Sequence, residues 1–206
     1  MITVVQLRRA AAVLASLALL SLPQMAQARP QKYEIDPEHL SIGFLVDHVG
    51  FSKVLGLFRS ASGSFVFDED TGTLSDLRVV VDTASVFTNH RKRDEHLKSA
   101  DFLNSAEFPR MIFTATGAKN SQERNFIIEG RLELLGRAQP VTLQATWNKS
   151  GEHPMGGGLF SRKPYAMGVS ARGSFQRSAF GMKYGVDNGW VGDIVELIIE
   201  FEATRQ

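Results

Sequence analysis

Few side chains in this chain have the type and spacing that catalysis or metal binding needs. The five histidines are His39, His48, His90, His96 and His153. None stands in a His-x-His or His-Glu-x-x-His pattern, and Asp94-x-His96 is a weak metal signal by itself. No metal site is expected. The chain has no cysteine, which removes thiolate ligands, a cysteine nucleophile and any disulfide. There is no Gly-x-Ser-x-Gly elbow for a serine nucleophile. Gly156-Gly157-Gly158 neither follows a strand nor opens a helix, so it reads as a hairpin loop and not as a phosphate cradle. No catalytic residue is assigned. The polar side chains left to consider are His48, Arg93, Asp94 and Arg177. One reading makes the last three paired charges that pin a segment in place, since buried charges are normally paired. The other sets an arginine fork of the Arg91-Lys92-Arg93 run against a ligand oxygen, a geometry that its two parallel donors suit.

Most of these groups fall in one stretch, Ser85–Thr116, the only part of the chain that leaves a strand-like alternation for a helical pattern. Thr88 or Asn89 is the expected cap of a short helix rich in charge from Arg91 to Lys98. A further helical turn is expected from Ser99, placing Phe102 and Leu103 on a buried side, with Pro109 ending it. The expectation is a helical insert that plugs or gates one end of a β structure.

The rest alternates with a period of two. Tyr33 and Ile35, then Ile42, Phe44 and Val46, then Leu77, Val79 and Val81 fall on common faces. Residues 54–67 read as one long strand with Gly56 and Gly63 as bends. Val141, Leu143, Ala145 and Trp147 repeat the pattern, and Val195, Leu197, Ile199 and Phe201 give it most cleanly. The segment Asp47–Phe51 is expected as a helical turn, and Gly136–Gln139 as a hairpin turn. About eight short strands separated by turn residues predict an all-β antiparallel barrel or sandwich. Phenylalanine is abundant, 14 against 2 Trp and 3 Tyr. A candidate apolar set comprises Phe44, Phe51, Phe58, Phe87, Phe102, Leu103, Phe108, Phe113 and Phe180. On the residues alone this set is either a solid core or the lining of a cavity.

Residues 1–28 read as a signal peptide. Arg8 and Arg9 precede an apolar run over residues 10–22, and Ala26-Gln27-Ala28 forms a small-residue cleavage site. This predicts export to the periplasm and a single domain over residues 29–206. The formal charge of +1 includes Arg8 and Arg9, so the remainder is close to neutral. Such a balance does not suit a nucleic-acid partner, whose phosphates call for a basic face.

Taken in order, several motifs resemble the YceI-like family of exported lipid-binding proteins. They are Ser41 through Asp47-His48-Val49-Gly50, Leu55–Phe58, Ser85–Thr88, Arg93–Phe102, Phe108–Phe113, Gly130–Val141, Arg177–Gly181 and Val191-Gly192-Asp193. Ala179 stands where that family usually has an acidic residue. Glu133–Gly136 reads ELLG where it usually has threonine and glycine. The resemblance implies an eight-stranded antiparallel lipocalin-like barrel with a short helical insert between strands. It also implies an apolar cavity for a polyisoprenoid, an isoprenoid quinone or a fatty-acid-like chain, held for transport or storage, with no cofactor. Transient membrane contact and a homodimer are the partners to expect beyond the lipid. Under this reading the phenylalanine set with Leu103 lines the cavity, and His48, Arg93, Asp94 and Arg177 form its polar mouth. Two alternatives are carried forward. One is an enzyme acting on the lipid through Asp94 and His96; the other is a structural or stress-response barrel with a filled core and a protein partner.

Overall fold

The computed structural model describes residues 29–155 and 163–206. The signal peptide expected over residues 1–28, and the glycine triplet with the residues after it, lie outside the described residues. Among the described residues twelve strands form: β1 (Gln31–Ile35), β2 (Ser41–His48), β3 (Ser52–Phe58), β4 (Ala61–Asp68), β5 (Thr73–Asp82), β6 (Val86–Phe87), β7 (Arg110–Ala115), β8 (Lys119–Gln122), β9 (Asn125–Leu134), β10 (Arg137–Glu152), β11 (Tyr165–Gln176) and β12 (Val191–Arg205). Among the described residues one α-helix, α1, spans Arg91–Lys98.

The hydrogen-bonded order β1-β4-β5-β7-β9-β10-β11-β12 closes when β12 pairs with β1 through Ile35↔Ala203 and its neighbours. Every pairing is antiparallel, and each wall strand lies beside its neighbour in the chain. The result is a closed eight-stranded up-and-down barrel, which leaves no open sheet edge around its wall. Three wall strands are broken midway. The run expected as one strand over residues 54–67 is the pair β3 and β4, interrupted at Arg59-Ser60. A 3-10 turn at Pro37–His39 separates β1 from β2, and another at Thr83–Ser85 separates β5 from β6. In both turns an aspartate, Asp36 or Asp82, accepts from the backbone N–H two residues on. The sheet β2-β3-β6 thereby extends the barrel upward on one side.

Two turns differ from the sequence reading. Asp47–Phe51 is not a helical turn: β2 continues to His48, which pairs with Ser52 across a hairpin loop where Val49 and Gly50 have φ of 53° and 72°. The β9–β10 connection is shorter than expected. Leu135 and Gly136, with φ of 52° and 69°, make a two-residue loop, and β10 starts at Arg137. Positive φ at both central positions gives a twist that matches the flanking strands.

The helical insert also differs in detail. The cap of α1 is His90, whose Nδ1 accepts from the Arg93 N–H at 3.2 Å. Thr88 lies before the helix and is instead held by Asp94 from within α1. Residues from Ser99 to Phe108 form successive tight turns and not a second helix, with Asn104 N–H donating to the Ser99 carbonyl and Phe108 N–H to that of Asn104. Phe102 and Leu103 are buried nonetheless. The insert is tied back to the turn after β5, where the Thr83 hydroxyl donates to the Phe108 carbonyl at 2.7 Å and the Thr83 N–H to that of Pro109 at 3.0 Å.

Candidate ligand cavity

Alternation sends one face of every wall strand inward, and the inward side chains do not meet across the barrel. They surround a cavity of about 650 Å³. Ile42, Phe44, Leu77, Val81, Leu132, Val141, Leu143, Leu197 and Ile199 supply much of its wall. Small side chains line it where Ala145 and Ala171 pair across β10 and β11. At the lower end, which carries the β4–β5 hairpin and the C-terminus, Phe67 packs edge-on against Phe126 and Trp147 at 5.7 and 5.5 Å. Beneath this aromatic floor, Tyr33 donates to one oxygen of Glu69, and Ser150 and Tyr165 donate to the other. Burial first, and Glu69 second, push the Tyr33 phenol above its ordinary titration range.

The upper end is the mouth. Three elements frame it: the β2–β3 hairpin through Asp47, His48 and Val49, the helix α1 through Arg93, His96 and Leu97, and the loop before β12 through Tyr184 and Trp190. Two of these are clamped together by rings. His96 meets Phe102 and Tyr184 edge-on at 5.0 and 4.9 Å, and Phe102 lies 5.2 Å from Tyr184.

Of the apolar set named from sequence, the structure places Phe44, Phe58, Phe102, Leu103 and Phe113 on the cavity. The other four lie elsewhere. Phe51 is at the hairpin tip and 92% exposed. Phe87 sits under the Arg59 guanidinium at 5.1 Å. Phe108 covers Gly136 on the β9–β10 hairpin. Phe180 is fully buried but stands behind Phe175, which it meets edge-on at 5.4 Å.

The polar set divides as well. His48, Arg93 and Arg177 line the cavity at its upper end. Asp94 is buried away from the cavity, and its carboxylate accepts from the N–H and hydroxyl of Thr88 at 2.8 and 2.5 Å. Arg93 grips the same residue, donating through Nε to the Thr88 hydroxyl at 2.7 Å and through Nη2 to its carbonyl at 2.8 Å. Among the described residues Arg93 has no carboxylate partner, and its Nη1 makes no hydrogen bond. Arg177 is 1% exposed and acts as a staple. It donates to the carbonyls of Gly192, Met182, Tyr184 and Val191 at 2.7, 3.1, 2.8 and 2.8 Å. Burial lowers its titration, and Asp193 opposes that shift. Asp193 in turn accepts from the Ser178 N–H and hydroxyl, both at 2.8 Å. Arg93, Asp94 and Arg177 therefore form no ion-paired group. Sequence reasoning does not single out Tyr184 and Trp190; an aromatic pair in a glycine-rich irregular stretch is the only sign they give.

A closed antiparallel barrel around an apolar cavity, open at one helix-framed end, is a ligand-binding barrel of the lipocalin type. The chain belongs to the YceI-like family, whose domain model matches residues 33–203. Protein YceI of Escherichia coli is 38% identical over 176 residues, covering 84% of this chain and 87% of that protein. The Campylobacter jejuni YCEI crystal structure is 26% identical with a TM-score of 0.68, covering 78% of this chain and 90% of that one. A polyisoprenoid binding domain from Saccharophagus degradans shares the fold at 10% identity and a TM-score of 0.59, covering 84% and 98%.

Proposed function

We propose that the protein holds one long apolar molecule, a polyisoprenoid, an isoprenoid quinone or a fatty-acyl chain, and stores or carries it in the periplasm. The observation that supports this reading is the cavity of about 650 Å³ with an almost wholly apolar wall. A methylene fills about the volume of a liquid water molecule, ~30 Å³, so the barrel has room for a chain of about twenty carbons. Each methylene withdrawn from water contributes about 0.8 kcal/mol, so such a chain needs few polar contacts. Those few belong at the mouth, where Arg93 has donors to spare and His48 lies alongside. They suit an oxygen-bearing head, carboxylate, phosphate or quinone carbonyl. The Saccharophagus domain supports the architecture's capacity for a polyisoprenoid. Periplasmic location rests on the pattern of residues 1–28.

The geometry favours neither alternative. Asp94 is committed to Thr88 and His96 is paired with Asp101 at 2.9 Å, so the Asp94–His96 couple on which the enzyme reading rests does not form. A filled core does not describe this interior. The test is to express the chain with residues 1–28, purify it from the periplasm without detergent, and analyse an organic extract by mass spectrometry. About one molecule per protein, with a chain of about twenty carbons or more, is the expected result. Folded protein that yields no long-chain molecule would refute the reading.

A further inference from the structure

The large apolar side chains left exposed are unevenly placed. Among the described residues they are Val49, Phe51, Leu55, Leu57, Met155, Tyr184, Trp190 and Ile194, and all but Met155 belong to the β2–β3 hairpin, the loop before β12 or the start of β12. Phe51 is 92% exposed at the hairpin tip and Trp190 is 55% exposed on the facing loop. An exposed apolar patch of this kind marks an interaction surface. Its position says with what. Val49, Tyr184 and Trp190 both line the cavity and face the outside, so the patch and the cavity mouth are one continuous apolar surface. Tryptophan and tyrosine are the side chains that settle at the boundary of a bilayer. Arg91, Lys92 and Lys183 stand exposed on the mouth segments, with no ion pair among the described residues; the exposed carboxylates nearby are Asp47, Glu95, Asp101 and Asp187, of which Glu95 faces Lys98 and Asp101 faces His96.

We infer that the barrel docks mouth-down on a bilayer surface, with Phe51 and Trp190 inserted at the headgroup level. A chain then passes between membrane and cavity along an apolar rim and never crosses water. The role of this docking rests on the lipid-carrying reading above, but the docking itself can be measured alone. The test is flotation of the purified protein with vesicles of phosphatidylethanolamine and phosphatidylglycerol, and the same for Phe51→Ser. Phe51 does not line the cavity, so this variant leaves the cavity wall intact. Wild type is expected to float, with Trp190 fluorescence shifting to the blue. Phe51→Ser is expected to bind at least about tenfold more weakly, the scale of burying one phenyl ring. Met155→Ser, at the other end of the barrel, is expected to float as wild type does. The inference is overturned if wild type stays unbound, if Phe51→Ser floats equally well, or if the patch proves to join two copies, with wild type dimeric at micromolar concentration and Phe51→Ser monomeric. Mass spectrometry of the same samples separates the two ideas. A protein that carries lipid yet does not float refutes docking alone, and one that floats yet holds no chain refutes the carrier reading alone.

Discussion

Tyr33 is wholly buried below the cavity floor, and its hydroxyl donates to Glu69. Burial and this neighbour raise its titration above the ordinary 10.0. Below that ordinary value both folded and unfolded chains keep the proton, and the contribution is present in full. Above it only the unfolded chain releases the proton, so stability falls as pH rises toward the folded-state value, at up to about 1.4 kcal/mol per pH unit. Urea midpoints of the wild type should decline steeply between about pH 10 and 12, and those of Tyr33→Phe should decline less. At neutral pH the variant should lose about 1 kcal/mol, since Glu69 keeps Ser150 and Tyr165. Parallel decline in both proteins would assign the alkaline loss to other groups. The same scale shows where sequence reading stops. Arg177 does line the cavity near its mouth, but its donors are spent on backbone carbonyls as a staple. Only burial and the carbonyls of Gly192, Met182, Tyr184 and Val191 distinguish such a staple from a mouth arginine with free donors, and none of these is encoded in its neighbours along the chain.

At the level of elements, period-two alternation made the wall legible. Val195, Leu197, Ile199 and Phe201, and likewise Val141, Leu143, Ala145 and Trp147, all face the interior as their spacing implies. Breaks and turns were less legible, because they depend on contacts distant in sequence. Arg59 ends β3 with an N–H bond to the Ser85 carbonyl, and Thr88 is organised by Asp94 from within the helix that follows. Glycines carry another long-range constraint. On β9, Gly130 lies beneath the Phe113 ring of β7, and a Cβ there would fall 2.3 Å from a ring carbon and 2.7 Å from the Thr114 carbonyl. The ring could swing aside, but the backbone carbonyl could not without shifting the strand. Gly130→Ala should therefore cost about 1–3 kcal/mol by overpacking, read from the urea midpoint. It should also turn Phe113 further into the cavity and lower the amount of extracted chain. An unchanged midpoint would mean that β7 and β9 are free to move apart here.

Taken whole, the molecule sets a large internal void against a stable wall. Empty volume is destabilising, at about 24 cal/mol per Å³ where core side chains have been removed. A solid barrel would avoid that cost, so the hollow makes sense if a ligand occupies it and adds its binding energy to the folded state. Ala145 offers a way to separate the two contributions, because it lines the cavity beside Ala171 and next to the Phe126 of the floor, away from the mouth. A phenyl ring introduced as Ala145→Phe would take up on the order of 100 Å³, the room of roughly three or four methylenes. If that space is vacant in the ligand-free protein, the ring fills it without displacing neighbours. The delipidated variant should then melt no lower than delipidated wild type, and by a few degrees higher if packing improves. The same ring should exclude the longest chains, so extracts should hold shorter molecules or about tenfold less of the original one. Stability and occupancy move in opposite directions only if the barrel is built around a guest. Should Ala145→Phe melt lower and yield the same chain in the same amount, the centre of the barrel would be packed space, and its contents would have to lie elsewhere.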